Sequence, residues 1–166
     1  KINLYDMSKI ETDNGASQAF SITNDNHMIL KTLSSNWDGF KINDLSNFKE
    51  NTEYEIVVNV YKNELVGDEK LYITSATSEV QTDKDIFYTD TSNSISIIPG
   101  QLGKFTYYRT SLSDFSNCEC VLRTVLNIGG SRCVECTIEI YEVGVYKANI
   151  RIQNPNAPIF GKGGRL

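Results

Sequence analysis

The stretch Tyr54-Glu55-Ile56-Val57-Val58-Asn59-Val60-Tyr61 decides the fold class. Its apolar positions recur with a period of two, so Tyr54, Ile56, Val58 and Val60 fall on one face of an extended chain. The same alternation returns on both sides of it. Ser94-Ile95-Ser96-Ile97-Ile98 alternates and stops at the turn pair Pro99-Gly100. Lys104-Phe105-Thr106-Tyr107-Tyr108-Arg109 is a further strand, and Thr137-Ile138-Glu139-Ile140-Tyr141-Glu142-Val143 is another, running on to Tyr146. Residues 27–33, 37–42, 71–74 and 121–126 read the same way, and 150–153 reads as a final strand. Helical periodicity is almost absent. About nine short strands at this spacing predict an all-β chain folded as a two-sheet antiparallel β-sandwich, a jelly roll.

The chain has 166 residues, enough for one domain with an arm. The sandwich is expected over 1–153. The segment 154–166, with Asn154-Pro155-Asn156-Ala157-Pro158 and Gly161-Lys162-Gly163-Gly164, reads as an extended C-terminal linker or arm. The formal net charge is −5, which argues against nucleic acid and against an anionic membrane surface as partner. No apolar run approaches the roughly 18 residues that span a bilayer. The first residues carry neither an initiator Met nor an apolar signal core, so the chain reads as excised from a larger polypeptide or processed, and the larger protein is expected to be secreted. His27 is the single histidine, which removes most histidine-based metal sites and catalytic triads.

Leu30-Lys31-Thr32-Leu33-Ser34-Ser35-Asn36-Trp37-Asp38-Gly39-Phe40, followed by Leu45 and Phe48-Lys49-Glu50-Asn51-Thr52-Glu53-Tyr54-Glu55-Ile56, resembles the opening of carbohydrate-binding modules of the family 4, 9 and 22 type. Such modules show a strand ending in an Asn-Trp-x-Gly turn, then a Gly-x-x-Tyr step into a long strand. Here Asn36-Trp37-Asp38-Gly39 matches the first. Asn51 stands where the second usually has Gly, and Asn tolerates the left-handed conformation which that step needs. Glu139-Ile140-Tyr141-Glu142-Val143 is similar to the closing strand. Two departures stand out. Ser8-Lys9-Ile10-Glu11-Thr12 replaces the usual Phe-Glu-x-Gly, and the closing Asp is Glu or Tyr. In such modules both positions help to hold a structural calcium, so calcium is left as an open cofactor expectation. A similar jelly roll occurs in phage tail and baseplate proteins.

The resemblance implies that Trp37 lines a sugar groove with Asn36 and Asp38. The chemistry fits: an aromatic plane stacks on the C–H face of a sugar, and amide and carboxylate groups meet its hydroxyls. The alternative is Trp37 as a core anchor. Tyr88, Tyr107 or Tyr108, and Arg123 are further groove candidates at alternate positions of strands, against packing roles or, for Arg123, an edge position.

Cys118 and Cys120 are separated from Cys133 and Cys136 by twelve residues with the turn signal Asn127-Ile128-Gly129-Gly130-Ser131 inside, so the pairs could lie nearly opposite one another across a common loop. Three readings stand: disulfides across a hairpin, a four-thiolate zinc site, or reduced thiols; each is structural. Carboxylates are plentiful, yet none has a context that marks a catalytic pair, and no phosphate loop, Gly-x-Ser-x-Gly or His-Glu-x-x-His occurs. The expectation is therefore a non-catalytic module that binds a polysaccharide or cell-wall glycan, xylan or β-glucan by resemblance. The runner-up is a structural or receptor-binding jelly roll of a phage tail or surface assembly, oligomeric through the C-terminal arm.

Overall fold

The computed structural model describes residues 2–13, 20–23, 25, 27–31, 39–74, 85–87, 95–127 and 137–148. Trp37, Asn36, Asp38, Tyr88, Cys133 and Cys136 lie outside them, as do the expected strand at 150–153, the boundary near residue 153 and the arm. Ten strands are described: β1 (Ile10–Asp13), β2 (Phe20–Ile22), β3 (Met28–Lys31), β4 (Gly39–Ile42), β5 (Glu53–Asn63), β6 (Lys70–Ile73), β7 (Ile95–Ile97), β8 (Gly103–Thr110), β9 (Thr124–Asn127) and β10 (Thr137–Lys147). A single 3₁₀ turn, Met7–Lys9, is the one helical element among the described residues. It is capped by Asp6, whose carboxylate accepts from the Ser8 N–H at 3.0 Å.

Every pairing between these strands is antiparallel. One layer is a five-stranded sheet in the order β2-β3-β10-β5-β8. The other consists of β7-β6-β9 and the pair β1-β4. Ile42 and Val121 form a bridge between these two pieces, and the Thr124 hydroxyl stitches them. It accepts from the Phe40 N–H and donates to the Phe40 carbonyl, both at 3.0 Å. The architecture is the expected β-sandwich.

The core lies between the layers. Tyr54, Ile56, Val58 and Val60 of β5 are buried in it, with Ile138, Ile140, Val143 and Val145 of β10. Leu71, Ile73, Ile97, Val121 and Leu126 face them from the other layer. Each such side chain contributes about 1.5–3 kcal/mol by leaving water. The entry into β5 is fixed by a short hydrogen-bonded knot. Asn51 takes a φ of 50°, the left-handed conformation expected of it. Its N–H donates to the Leu112 carbonyl at 3.1 Å. The Lys49 N–H donates to the Tyr54 hydroxyl at 2.9 Å, so this wholly buried tyrosine keeps its polar end satisfied. The Ser111 hydroxyl ties the same turn by donating to the Lys49 carbonyl and accepting from the Thr52 N–H.

β9 begins later than the alternation from Val121 predicts. Leu122 has a φ of 49°, which breaks the extended run, and the backbone there serves a buried carboxylate instead. Asp85 accepts from the Phe87 N–H at 2.9 Å and the Arg123 N–H at 2.7 Å. Burial pushes its pKa up to about 6, although these backbone donors and the Arg123 charge pull it down. The short strands β1 and β2 have no counterpart in the sequence reading, because neither shows a clear apolar alternation.

Candidate functional site

The positions of β5 that alternate with its core set project from the opposite side of the five-stranded sheet. Residues opposite one another in an antiparallel ladder share a face, so the register extends this outer face, hereafter the open face, across three strands, although Val57 at its centre is only 3% exposed. Tyr108, Glu55 and Tyr146 form one row, and Thr106, Val57 and Gly144 the next. Lys104 and Asn59 continue it. The Tyr108 hydroxyl donates to Glu55 Oε2 at 3.1 Å. Phe105 and Tyr107 point the other way and pack against the core, which pushes the Tyr107 hydroxyl pKa up through desolvation.

Gly144 shapes this face. A Cβ built on it would lie 2.5 Å from the Tyr146 ring and 2.8 Å from its hydroxyl. The missing side chain therefore lets the Tyr146 ring fold back over the strand and cover the glycine, a packing that compensates for glycine in a sheet.

At the other end of β5 the ladder to β10 shifts register. Val60 pairs with Ile140 and Lys62 with Glu139, leaving Tyr61 between them. Tyr61 is 64% exposed, and its ring meets His27 edge-on at 5.2 Å. His27 is buried between carboxylates, with Nδ1 2.6 Å from Glu139 Oε1 and Nε2 3.5 Å from Asp25 Oδ2. The open face thus carries tyrosines at both ends and polar groups, Glu55, Asn59 and Lys104, between them.

Of the candidates named from sequence, Tyr108 is on this face and 39% exposed. Arg123 is elsewhere. It is buried in the other layer, in the electrostatic field of Asp85, because the chain leading into β9 wraps that carboxylate. Cys120 is buried beside Ile86 and Cys118 is half-buried on the preceding turn. Glu55, Tyr61, Gly144 and Tyr146 were not singled out from sequence. The alternation in β5 carried the signal for Glu55 and Tyr61, since fixing the core face fixes the other one.

Three carboxylates near the 3₁₀ turn have partners within the chain. Asp6 is engaged by Ser8, Asp44 by the Lys9 ammonium and Glu11 by the Asn43 amide. Among the described residues no group of three or more His, Cys, Asp or Glu is placed to hold a metal ion. No helix among them is long and apolar enough to cross a membrane.

A solved structure described as "CBM4 structure and function" superposes on this chain with a TM-score of 0.50, covering 85% of this chain and 96% of the other at 10% identity. The chain shares the β-sandwich fold of that structure. No protein-family model and no curated protein matches its sequence. At 10% identity the likeness fixes the arrangement of strands and leaves the side chains to speak for themselves. On this fold, the open face of the five-stranded sheet carries Tyr61, Tyr108 and Tyr146 with Glu55, Asn59 and Lys104.

Proposed function

We propose that this open face binds a polysaccharide chain without cleaving it. The observation that carries the reading is the row Tyr108–Glu55–Tyr146, with exposed Tyr61 farther along β5. Flat rings serve the C–H faces of pyranoses, and the carboxylate and amide between them serve hydroxyls. The fold adds support, because the solved structure that shares it is described as such a module.

Non-catalytic binding is supported by the likeness to the solved structure described as a CBM4, and Glu139 is engaged by His27, whose Nδ1 lies 2.6 Å from its Oε1.

The ligand class we propose is xylan or a mixed-linkage β-glucan, with Trp37, Asn36, Asp38 and Tyr88 adding contacts. The setting is extracellular, within a larger protein. Affinity gel electrophoresis tests this. Xylan or β-glucan in the gel should retard the parent protein, and Tyr61→Ala should migrate as if the polymer were absent. Equal migration of the parent with and without each polymer would sink the proposal.

A further inference from the structure

β3 pairs with β10 only over Thr137–Ile140. Beyond that point the N-terminal segment takes its place. The Leu4 N–H donates to the Val145 carbonyl at 2.8 Å. The Asn3 amide clamps the same strand, Oδ1 accepting from the Val145 N–H at 2.9 Å and Nδ2 donating to the Val143 carbonyl at 3.1 Å. This docking brings Ile2 and Leu4 alongside the end of β10. Between them and Tyr146 and Lys147 lies an open hollow of about 340 Å³. That size falls within the range of small-ligand sites.

Its surface is chiefly apolar. Ile2, one of its walls, is 82% exposed, so a large aliphatic side chain is left in water at the edge of the proposed glycan face. The hollow is continuous with that face through Tyr146, which belongs to both. Unsubstituted pyranose hydroxyls entering it would leave water without gaining partners along an aliphatic wall, an unfavourable exchange. An acyl substituent has the opposite character. Its methyl group gains by leaving water, and Lys147, a cationic residue that lines the hollow, offers a donor type that its carbonyl can accept from.

We infer that the hollow formed by Ile2, Leu4, Tyr146 and Lys147 is a subsite for an acetylated sugar residue of the bound polysaccharide. The inference rests on the glycan-binding reading above and narrows its ligand. Gly144 is the positioning residue, because it allows the Tyr146 ring to lie where it forms one wall of the hollow and part of the floor of the face.

The test uses acetylated xylan and the same polymer after mild alkaline de-esterification, with affinities measured by calorimetry on the whole chain. The acetylated polymer should bind at least about tenfold more tightly. Ile2→Ser, at an exposed position that leaves the fold intact, should reduce that preference at least threefold while leaving affinity for the de-esterified polymer unchanged. Gly144→Ala should weaken binding of both polymers by displacing the Tyr146 ring. Equal affinity for the two polymers, or a preference that Ile2→Ser does not alter, overturns the acetyl subsite and leaves the glycan reading standing. Failure of the parent protein to bind either form, or β-glucan, overturns the glycan reading and this inference with it.

Discussion

The Tyr108 hydroxyl donates a hydrogen bond to Glu55 Oε2 across the β5–β8 ladder at 3.1 Å. The contact holds an exposed ring and a carboxylate at fixed spacing on the open face before any ligand arrives. Preorganisation of this kind lowers the ordering cost of binding. Tyr108→Ala removes ring and hydroxyl together and should weaken polysaccharide binding about thirtyfold, a loss of about 2 kcal/mol. Tyr108→Phe keeps the ring and should lose less than tenfold. Calorimetry on both variants checks the order; a Phe variant as weak as the Ala variant would shift the role from stacking to the hydroxyl.

Asn51 tests the strand entry. At a φ of 50° a β-branched side chain is strained, whereas glycine is not. Asn51→Val should cost about 1–3 kcal/mol in chemical denaturation, and Asn51→Gly should stay within about 1 kcal/mol of the parent. A Val variant as stable as the parent would mean that the turn has another conformation in solution.

Asp85 sets a pH dependence. Its folded pKa of about 6 lies above the ordinary value of 3.8, so folding favours its neutral form. The associated stability is fully present below about pH 4 and is lost as pH rises through 6. The difference, 6 − 3.8 = 2.2, corresponds to a loss on the order of 3 kcal/mol. Asp6, Asp25, Asp44 and Glu64 act in the opposite sense, their pKa values being lowered chiefly by hydrogen bonds. Their stabilisation is lost as pH falls below about 4, beneath the window between 4 and 6 in which Asp85 acts. The melting temperature should therefore rise from pH 7 to pH 5, and Asp85→Asn should flatten that rise. A parent protein that melts earlier at pH 5 than at pH 7 would contradict the assignment.

The thiols are open to direct chemistry. Cys118 and Cys120 sit on the chain that leads into β9, and Cys133 and Cys136 follow in the connection to β10. We expect disulfides between the two cysteine pairs, so titration of the unfolded, unreduced protein should find fewer than the four thiols of the sequence. Four reactive thiols with one equivalent of zinc released on unfolding would replace the disulfide reading by a tetrathiolate site.

The legibility of this molecule divides along physical lines. β5, β8 and β10 were readable because each presents one face to the core, and burial on one side imprints a period of two. Asn51 was readable because few residues accept a positive φ. β1 was not, since Ile10-Glu11-Thr12-Asp13 lies at the margin of its layer and carries no such pattern. The position of Arg123 was not legible, because alternation cannot register a backbone that turns aside to solvate Asp85. Tyr146 was hidden for a different reason. Its placement depends on the glycine two positions before it, a relation between side chains that no periodicity expresses.

Trp37 carries the last prediction. It lies in the segment that leaves β3 in the five-stranded sheet and enters β4 in the other layer, at Asn36-Trp37-Asp38-Gly39. We propose that its ring adds a stacking surface for the glycan beside the open face. Trp37→Ala should then weaken binding by about 2 kcal/mol or more, roughly thirtyfold, without moving the melting transition appreciably. A core anchor would behave in the opposite way. Emptying a buried tryptophan site costs about 3–5 kcal/mol of stability, and binding would fall only as far as the folded fraction falls. Melting and affinity measured on the same variant separate these outcomes, since one role moves only the affinity and the other moves the melt. A variant that melts far earlier yet binds normally while folded would remove Trp37 from the site and leave Tyr61, Tyr108 and Tyr146 as its aromatic surface.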